Sequence, residues 1–186
     1  MVFAGQLMLG KKCPMPGDSF IIEPLNPAKH RRDEFDCGVA VLNDFLHTRA
    51  RKEMEAGTSA CFVIVPETDP RVIAGYYTLS AATIERTVLP ESMTKKLPLY
   101  TELPASLLGR LARDLRFKGQ KIGDRLMVSM MQRAVKTAKE VASWAIVTDP
   151  KDQQARKLYE GFGFQPLNAE RLFLPMKQAA AWINAQ

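Results

Sequence analysis

The segment Arg116-Phe117-Lys118-Gly119-Gln120-Lys121-Ile122-Gly123 puts basic side chains and glycines together and runs directly into an amphipathic stretch. A turn that enters a helix presents backbone N–H groups and the positive end of the helix dipole, which suits a phosphate. Glycines let the backbone approach the anion, and Arg116, Lys118 and Lys121 add positive charge. The same residues also suit a solvated basic turn whose Gly119 and Gly123 serve local geometry alone. Other chemistries lack their residues. The chain has no Gly-x-x-x-x-Gly-Lys-Ser/Thr loop, no His-Glu-x-x-His, no Gly-x-Ser-x-Gly and no Gly-x-Gly-x-x-Gly. Cys13, Cys37 and Cys61 form no Cys-x-x-Cys pair. They argue against a disulfide framework or a cysteine zinc site and fit a reducing cytoplasm, with Cys37 and Cys61 expected as small buried apolar residues. His30 and His47 are expected at the surface, and two histidines are too few for most metal sites, so no metal is expected.

The elements that must position this turn follow from hydrophobic spacing. Phe20-Ile21-Ile22 reads as a strand. Leu42, Phe45, Leu46, Ala50 and Met54 mark one helix face, stopped at Gly57. The β-branched runs at 60–65 and 72–79, parted by Pro66, Asp69 and Pro70, predict an antiparallel hairpin. Residues 85–104 carry prolines and Lys95-Lys96 and read as a long loop with one short helical turn. A strand is expected at 106–114. A long helix follows, with Ile122, Leu126, Met130, Ala134, Ala138 and Val141 on one face. A buried strand at 143–148, a helix at 152–160 closed by Gly161, and a strand around Leu172-Phe173-Leu174 complete the chain. The order β-α-β-β-loop-β-α-β-α-β predicts an α/β (α+β) domain with a mixed central sheet flanked by helices.

Composition agrees. The chain has 186 residues with 46% hydrophobic and 25% charged, the balance of an ordinary globular domain rather than a disordered or fibrous chain. No apolar run approaches the roughly 18 residues needed to span a membrane. Residues 1–19 read as a leader without the basic start of a secretory signal, with Met8 or Met15 as alternative starts, and 20–186 as one domain. The net charge of +6 suits a polyanionic partner such as nucleic acid or a phosphorylated cofactor, although solubility alone accounts for such a surplus equally well.

The basic turn is similar to the acetyl-CoA pyrophosphate loop of the GCN5-related N-acetyltransferases (GNATs), Gln/Arg-x-x-Gly-x-Gly/Ala, with Arg116, Gly119 and Lys121 at the defining places. Lys121 departs from the pattern, which either loosens the turn or sends the side chain towards a phosphate. The later Ala155-x-x-x-Tyr159-Glu160-x-Phe162-Gly163-Phe164 resembles that family's other signature. Phe35-Asp36-Cys37-Gly38 with Leu42-Asn43-x-Phe45-Leu46 resembles one subgroup, the acetyltransferase toxins of toxin–antitoxin pairs. So do Gly75-Tyr76-Tyr77-Thr78-Leu79, Leu108-Gly109-Arg110-Leu111-Ala112-x-Asp114 and the ending Arg171-Leu172-Phe173-Leu174-Pro175-Met176. Arg113, where an apolar residue is usual, and Asp152, where asparagine is common, are departures. The resemblance implies the GNAT fold, acetyl-CoA as co-substrate, and acetylation of the α-amino group of aminoacyl-tRNA that blocks translation. It also implies a ribbon-helix-helix antitoxin and a homodimer, as relatives often form.

Residue roles follow from that resemblance. Tyr159 is expected to protonate the leaving thiolate, a phenol of reference pKa about 10 being a donor at neutral pH. An aminoacyl ester amine, more acidic than a lysine of reference pKa about 10.4, needs little help from a base, which fits a chain with no obvious one. Leu111, Ala112 and Arg113 would offer backbone groups to the pantetheine amides. The residues Arg116, Lys118, Gly119, Gln120, Lys121, Ile122, Gly123 and Asp124 would wrap the pyrophosphate. Asp152 would either contact the pantetheine arm or cap its helix. For tRNA the candidates are Arg31, Arg32, Arg49, Arg51, Lys52, Arg86, Lys95 and Lys96. Two other readings stay open: a GNAT acting on a small amine, metabolite or protein N-terminus, and a non-catalytic module that binds acyl-CoA or RNA.

Overall fold

The run Ala60–Pro66 is apolar throughout because both its faces are covered, as the computed structural model of residues 19–95 and 97–185 makes plain. Phe62 and Ile64 pack under one helical layer, while Cys61, Val63 and Val65 pack under another. That strand, β2, lies between β1 (Phe20–Pro24) and β3 (Gly75–Glu85) in a sheet of order β1-β2-β3-β4-β5-β7-β6. The remaining strands are β4 (Glu102–Arg113), β5 (Ala145–Thr148), β6 (Gln165–Pro166) and β7 (Leu172–Pro175). Among the described residues only β4 and β5 pair in parallel, and the other pairings are antiparallel. The sheet is therefore mixed, as the element order predicts.

On one face lie α1 (Ala40–Asp44) and α2 (Ala50–Glu55), joined without a break by a π-helical segment, Phe45–Arg49. Phe45, Leu46 and Ala50 are fully buried there, the face predicted from their spacing. The opposite face carries α4 (Ile122–Thr137), α5 (Gln153–Gly161) and α6 (Met176–Asn184), and α3 (Glu91–Thr94) is a short turn before β4. Leu126, Met127, Met130, Met131 and Ala134 of α4 are buried against the sheet.

Several boundaries differ from expectation. The hairpin's second strand starts at Gly75 rather than 72 and runs to Glu85, and β4 already begins at Glu102, so the expected long loop shrinks to 86–101. The long helix ends at Thr137, which leaves Val141 exposed at 71%. Helix α6 and the two-residue β6 lie outside the expected elements. His30, expected at the surface, is 4% exposed: its Nε2–H donates to Glu23 Oε1 at 2.8 Å while Nδ1 accepts from the Asn26 N–H. His47 is half-buried, its Nε2 donating to the Phe35 carbonyl at 2.9 Å. Cys61 is buried as expected and its thiol is pushed up to about 12 by burial, whereas Cys37 is only half-buried. The leader, its alternative starts and Cys13 lie outside the described residues. Among the described residues no helix is long and apolar enough to cross a membrane.

Candidate functional site

Strands β4 and β5 pair from Ala105↔Ala145 to Leu108↔Thr148 and then part. Beyond that point β4 runs on to Arg113 with only β3 beside it, so a fork opens between the two strands. The fork starts at a bulge: Thr78 faces Arg110 and Leu79 faces Leu108, leaving Gly109 as the extra residue. A Cβ at Gly109 would meet Thr78 Oγ1 at 3.1 Å, so the bulge leaves little room for a side chain. The Asp114 N–H bonds the Ala74 carbonyl at 2.9 Å, which sets the phase of the ladder. By strand alternation Arg110 and Ala112 turn their peptide groups to β3, while Leu111 and Arg113 turn theirs into the fork. Of the three strand residues expected to hold an amide-bearing arm, the backbone thus offers two. Ala112 contributes a buried methyl to the opposite core.

The basic turn follows directly. Asp114, 1% exposed, accepts from the Arg116 N–H and from the Asp36 N–H. It also holds the Arg116 guanidinium at 2.9 and 2.7 Å, with the Glu34 carbonyl accepting from Arg116 Nη2 at 3.2 Å. Arg116 is therefore drawn towards the start of the chain and ties it to the end of β4. The Phe35-Asp36-Cys37-Gly38 motif serves the same tie. Leu115 N–H donates to the Asp36 carbonyl, and the Asp36 carboxylate accepts from Gly38 N–H and Asn43 Nδ2. Those bonds hold the Asp36 carboxyl below its ordinary range.

Phe117 and Ile122 are buried and anchor the two ends of the turn. Between them Gly119 has φ 84 and Lys121 φ 54, the one non-glycine residue with positive φ among those described. Lys121 thus keeps the left-handed conformation that a glycine would adopt freely, and the turn is not loosened by the departure. The first N–H groups of α4 (Ile122, Gly123, Asp124) have no intrahelical acceptor by geometry. A Cβ added at Gly119 or Gly123 would meet nothing within 4 Å, so the turn faces open space. Lys118, Lys121 and Asp124 are exposed, and Gln120 and Gly123 are half-buried. An extended, amide-rich arm ending in a pyrophosphate fits this groove: peptide edges along β4, then a cradle of amides and ammonium groups.

At the fork itself stands Tyr159, from α5. Asp152 caps that helix by accepting the Ala155 N–H at 2.7 Å and pairs with Lys151, whose hydrogen bond is the main reason its carboxyl lies below the ordinary range. Of the two roles expected for Asp152, the geometry is that of the cap. Tyr159 is 6% exposed, tilted against Phe164 at 5.7 Å between centroids. Burial pushes its phenol above the ordinary value, and the nearby Thr148 side chain pulls the other way. The Thr148 hydroxyl in turn donates to the Leu108 carbonyl at 3.0 Å. A cleft of about 570 Å³ opens beside the start of α5, lined by Asp149, Lys151, Asp152 and Arg156. Thr148 was not singled out by sequence reasoning, and Gly109 and Asp114 entered it within a subgroup motif, with no role of their own. A glycine inside a strand pattern was a usable signal for Gly109.

The expected RNA-facing residues separate into two kinds. Arg31 pairs with Glu34 and Asp69, Arg32 donates to the Leu46 and His47 carbonyls, and Arg86 binds the carbonyls of Thr94, Leu97 and Pro98. These three hold the fold. Arg49, Arg51, Lys52 and Lys95 are exposed, the first three on one helical run, with Arg49 against the Phe45 ring and Arg51 paired to Glu55. Lys96 lies outside the described residues. Among those described, no group of three or more His, Cys, Asp or Glu is placed to hold a metal ion.

No protein-family model matches the chain. It is 30% identical over 165 residues to a probable toxin TacT of Sinorhizobium fredii, an alignment covering 84% of this chain and 91% of the relative. It is 32% identical over 152 residues to a tRNA-acetylating toxin of Mycobacterium tuberculosis, covering 81% and 89%. Its fold is similar to that of AtaT complexed with acetyl-methionyl-tRNAfMet, with a TM-score of 0.81, 31% identity, and coverage of 88% and 98%. Also similar are AtaTR bound with AcCoA, at TM-score 0.77, 30% identity and coverage of 88% and 97%, and an AtaT mutant bound to the C-terminus of the antitoxin AtaR, at TM-score 0.77, 26% identity and coverage of 91% and 99%.

Proposed function

The chain belongs to the GNAT-fold tRNA-acetylating toxins of toxin–antitoxin systems, and on that premise we propose that it transfers acetyl from acetyl-CoA to the α-amino group of aminoacyl-tRNA. The product can no longer donate its amine to a growing chain, so translation stops. The observation that carries this reading is the buried phenol of Tyr159 near Thr148, the residue at which β5 stops pairing with β4.

In this reading Leu111 and Arg113 hold the thioester arm by strand-like hydrogen bonds. The turn from Lys118 to Asp124 holds the pyrophosphate through amides, the α4 dipole and the Lys118 and Lys121 ammonium groups. Arg116 acts through Asp114, keeping the turn in place rather than touching the phosphate. The aminoacyl amine attacks the thioester carbonyl, the C–S bond breaks, and the sulfur takes the Tyr159 hydroxyl proton. A phenol whose pKa burial has raised is protonated across the physiological range and so is always loaded for that step. The acetyl-CoA arm enters from the α4–α5 side, so the aminoacyl end must approach over the exposed Arg49, Arg51 and Lys52 or the Lys95 side. The remaining partners follow the family resemblance: a ribbon-helix-helix antitoxin, a homodimer and a cytoplasmic setting, with residues 20–186 as a single domain.

The test is transfer of radiolabelled acetyl from acetyl-CoA to total aminoacylated tRNA, with deacylated tRNA as control. Label should enter charged tRNA only. In Tyr159→Phe the rate should fall by about 100-fold while acetyl-CoA still binds. Label that remains in acetyl-CoA with wild-type protein, or that appears on other amines instead, overturns the acceptor assignment.

A further inference from the structure

Strand β4 leaves its bulge at Gly109 with Arg110, whose side chain turns away from the face that carries Tyr159. Leu108 and Tyr159 belong to the core under α4 and α5, whereas Ala112 and Phe45 belong to the core under α1 and α2. Arg110 joins the second face, its guanidinium carbon 3.7 Å from the centre of the Phe45 ring. Arg49 approaches the same ring at 5.6 Å, from the far end of the π-helical segment that begins at Phe45. Two guanidiniums thus share one buried ring, at the first residue beyond the bulge.

Other stacked cations of the fold are tied down by hydrogen bonds. Arg133 also lies over a ring, that of Phe62 at 3.9 Å, but it donates to the Tyr77 hydroxyl at 3.2 Å. Arg110 differs. The Glu53 carboxylate it pairs with is 3.6 Å away, beyond hydrogen-bond reach, and among the described residues no group accepts from it. A ring holds a guanidinium by its flat face and leaves the N–H groups around its edge free to donate. The side chain is 26% exposed, so those donors reach solvent. Arg49 is exposed as well, with no carboxylate partner among the described residues.

We propose that Arg110, with Arg49 beside it, takes a phosphodiester of the acceptor and so selects an aminoacylated RNA end over phosphate-free amines. The proposal rests on the reading of the β4–β5 fork as the thioester site. In that reading the acetyl-CoA arm and Tyr159 occupy the α4–α5 face. The acceptor amine therefore reaches the thioester carbon from the α1–α2 face, past Arg110. An α-amine esterified to the end of an RNA has a phosphodiester one ribose away. A polyamine, a free amino acid or a protein N-terminus has none. A planar guanidinium with open donors suits that phosphate by paired, charge-assisted hydrogen bonds. The same charge repels a second ammonium, so a polyamine is disfavoured where an RNA end is favoured.

The experiment measures acetyl transfer from acetyl-CoA to total aminoacylated tRNA. In parallel it uses a mixture of amino acid methyl esters, which offer the same α-amine without a phosphate. Wild type should prefer the tRNA. Arg110→Met keeps an apolar stem over Phe45 and removes the charge. It should lower the tRNA-over-ester ratio of kcat/KM about ten-fold, the equivalent of one charge-assisted hydrogen bond. The slope of log kcat/KM for tRNA against log salt should become shallower by about 0.7, one single-stranded phosphate contact. Arg110→Lys should keep that slope while losing part of the ratio, since an ammonium is a point charge. Glu53→Gln, which releases the guanidinium from its pair, should raise the ratio about two-fold. An Arg110→Met enzyme with the wild-type ratio and salt slope overturns the role of Arg110. So does one that melts earlier and loses kcat/KM equally for tRNA and esters, because that is the loss of a ring cover alone. Wild-type protein that labels the esters alone, or neither acceptor, overturns the acceptor reading on which the proposal rests.

Discussion

At the scale of single residues, Lys121 shows how a departure from a sequence pattern resolves into physics. Its φ of 54 lies where an L side chain costs about 1–2 kcal/mol, and the cost is accepted at the entry to α4. Lys121→Ala keeps that strain and removes the charge; Lys121→Gly removes both. The glycine variant should therefore be more stable than the alanine variant by about 1 kcal/mol in urea unfolding, once the freer unfolded chain has taken its share. Both should raise the KM for acetyl-CoA by a similar factor of about five, since an ammonium beside a phosphate contributes on the order of 1 kcal/mol. A glycine variant with wild-type KM would mean that the ammonium plays no part in the cradle. At this scale Tyr159 and Gly119 were singled out in the sequence because each sits in a motif that resembles a family signature. Thr148 was not, because a threonine ending an apolar strand looks like any β-branched residue until its neighbours are known. Arg116 read as a phosphate ligand for the opposite reason: its charge is visible in the sequence, but Asp114, its partner, is identified only by contact.

The elements carry the site by close approach. Strand β3 lets α4 settle on the sheet through Gly75, where an added Cβ would meet the Ala112 carbonyl at 2.8 Å and Ile122 and Leu126 at 2.9 Å. These contacts join β3 to β4 and to the first turns of α4, the elements proposed above to hold acetyl-CoA. Gly75→Ala should cost about 1–3 kcal/mol of stability and raise the KM for acetyl-CoA, because the start of α4 must shift away from β4. Urea unfolding and steady-state kinetics check this, and an unchanged KM would show that the seat of α4 does not set the turn. The apolar run of β2 and the α4 spacing were readable because burial imposes a period on them. The ends of β3 and β4 were not. Pro104 looks like a loop residue, yet it lies in β4 at a register where β5, which starts pairing at Ala105, has not joined. Helix α6 buries only Ala179, so its alanine-rich stretch left no clear apolar stripe to read.

Over the whole molecule, a net charge of +6 does not translate into that many free cations. Arg31, Arg32 and Arg86 are spent on holding loops and helix ends, whereas Lys52 and Lys95 stand in solvent. Salt separates these two uses of charge. A surface charge that meets an RNA phosphate releases counterions, so its contribution fades as salt rises. A guanidinium that closes a loop on the carbonyls of Thr94 and Pro98 is far less screened. Reversing both exposed lysines (Lys52→Glu with Lys95→Glu) should lower kcat/KM for aminoacylated tRNA about ten-fold at about 50 mM salt, and much less near 200 mM. Arg86→Ala should lower the melting temperature equally at both salt concentrations. If the double reversal leaves kcat/KM unchanged at low salt, the tRNA approaches over another surface. The half-buried cations Arg110, over the Phe45 ring at 3.7 Å, and Arg133, over Phe62 at 3.9 Å, would be the next to reverse, since each lies on a different face of the same sheet.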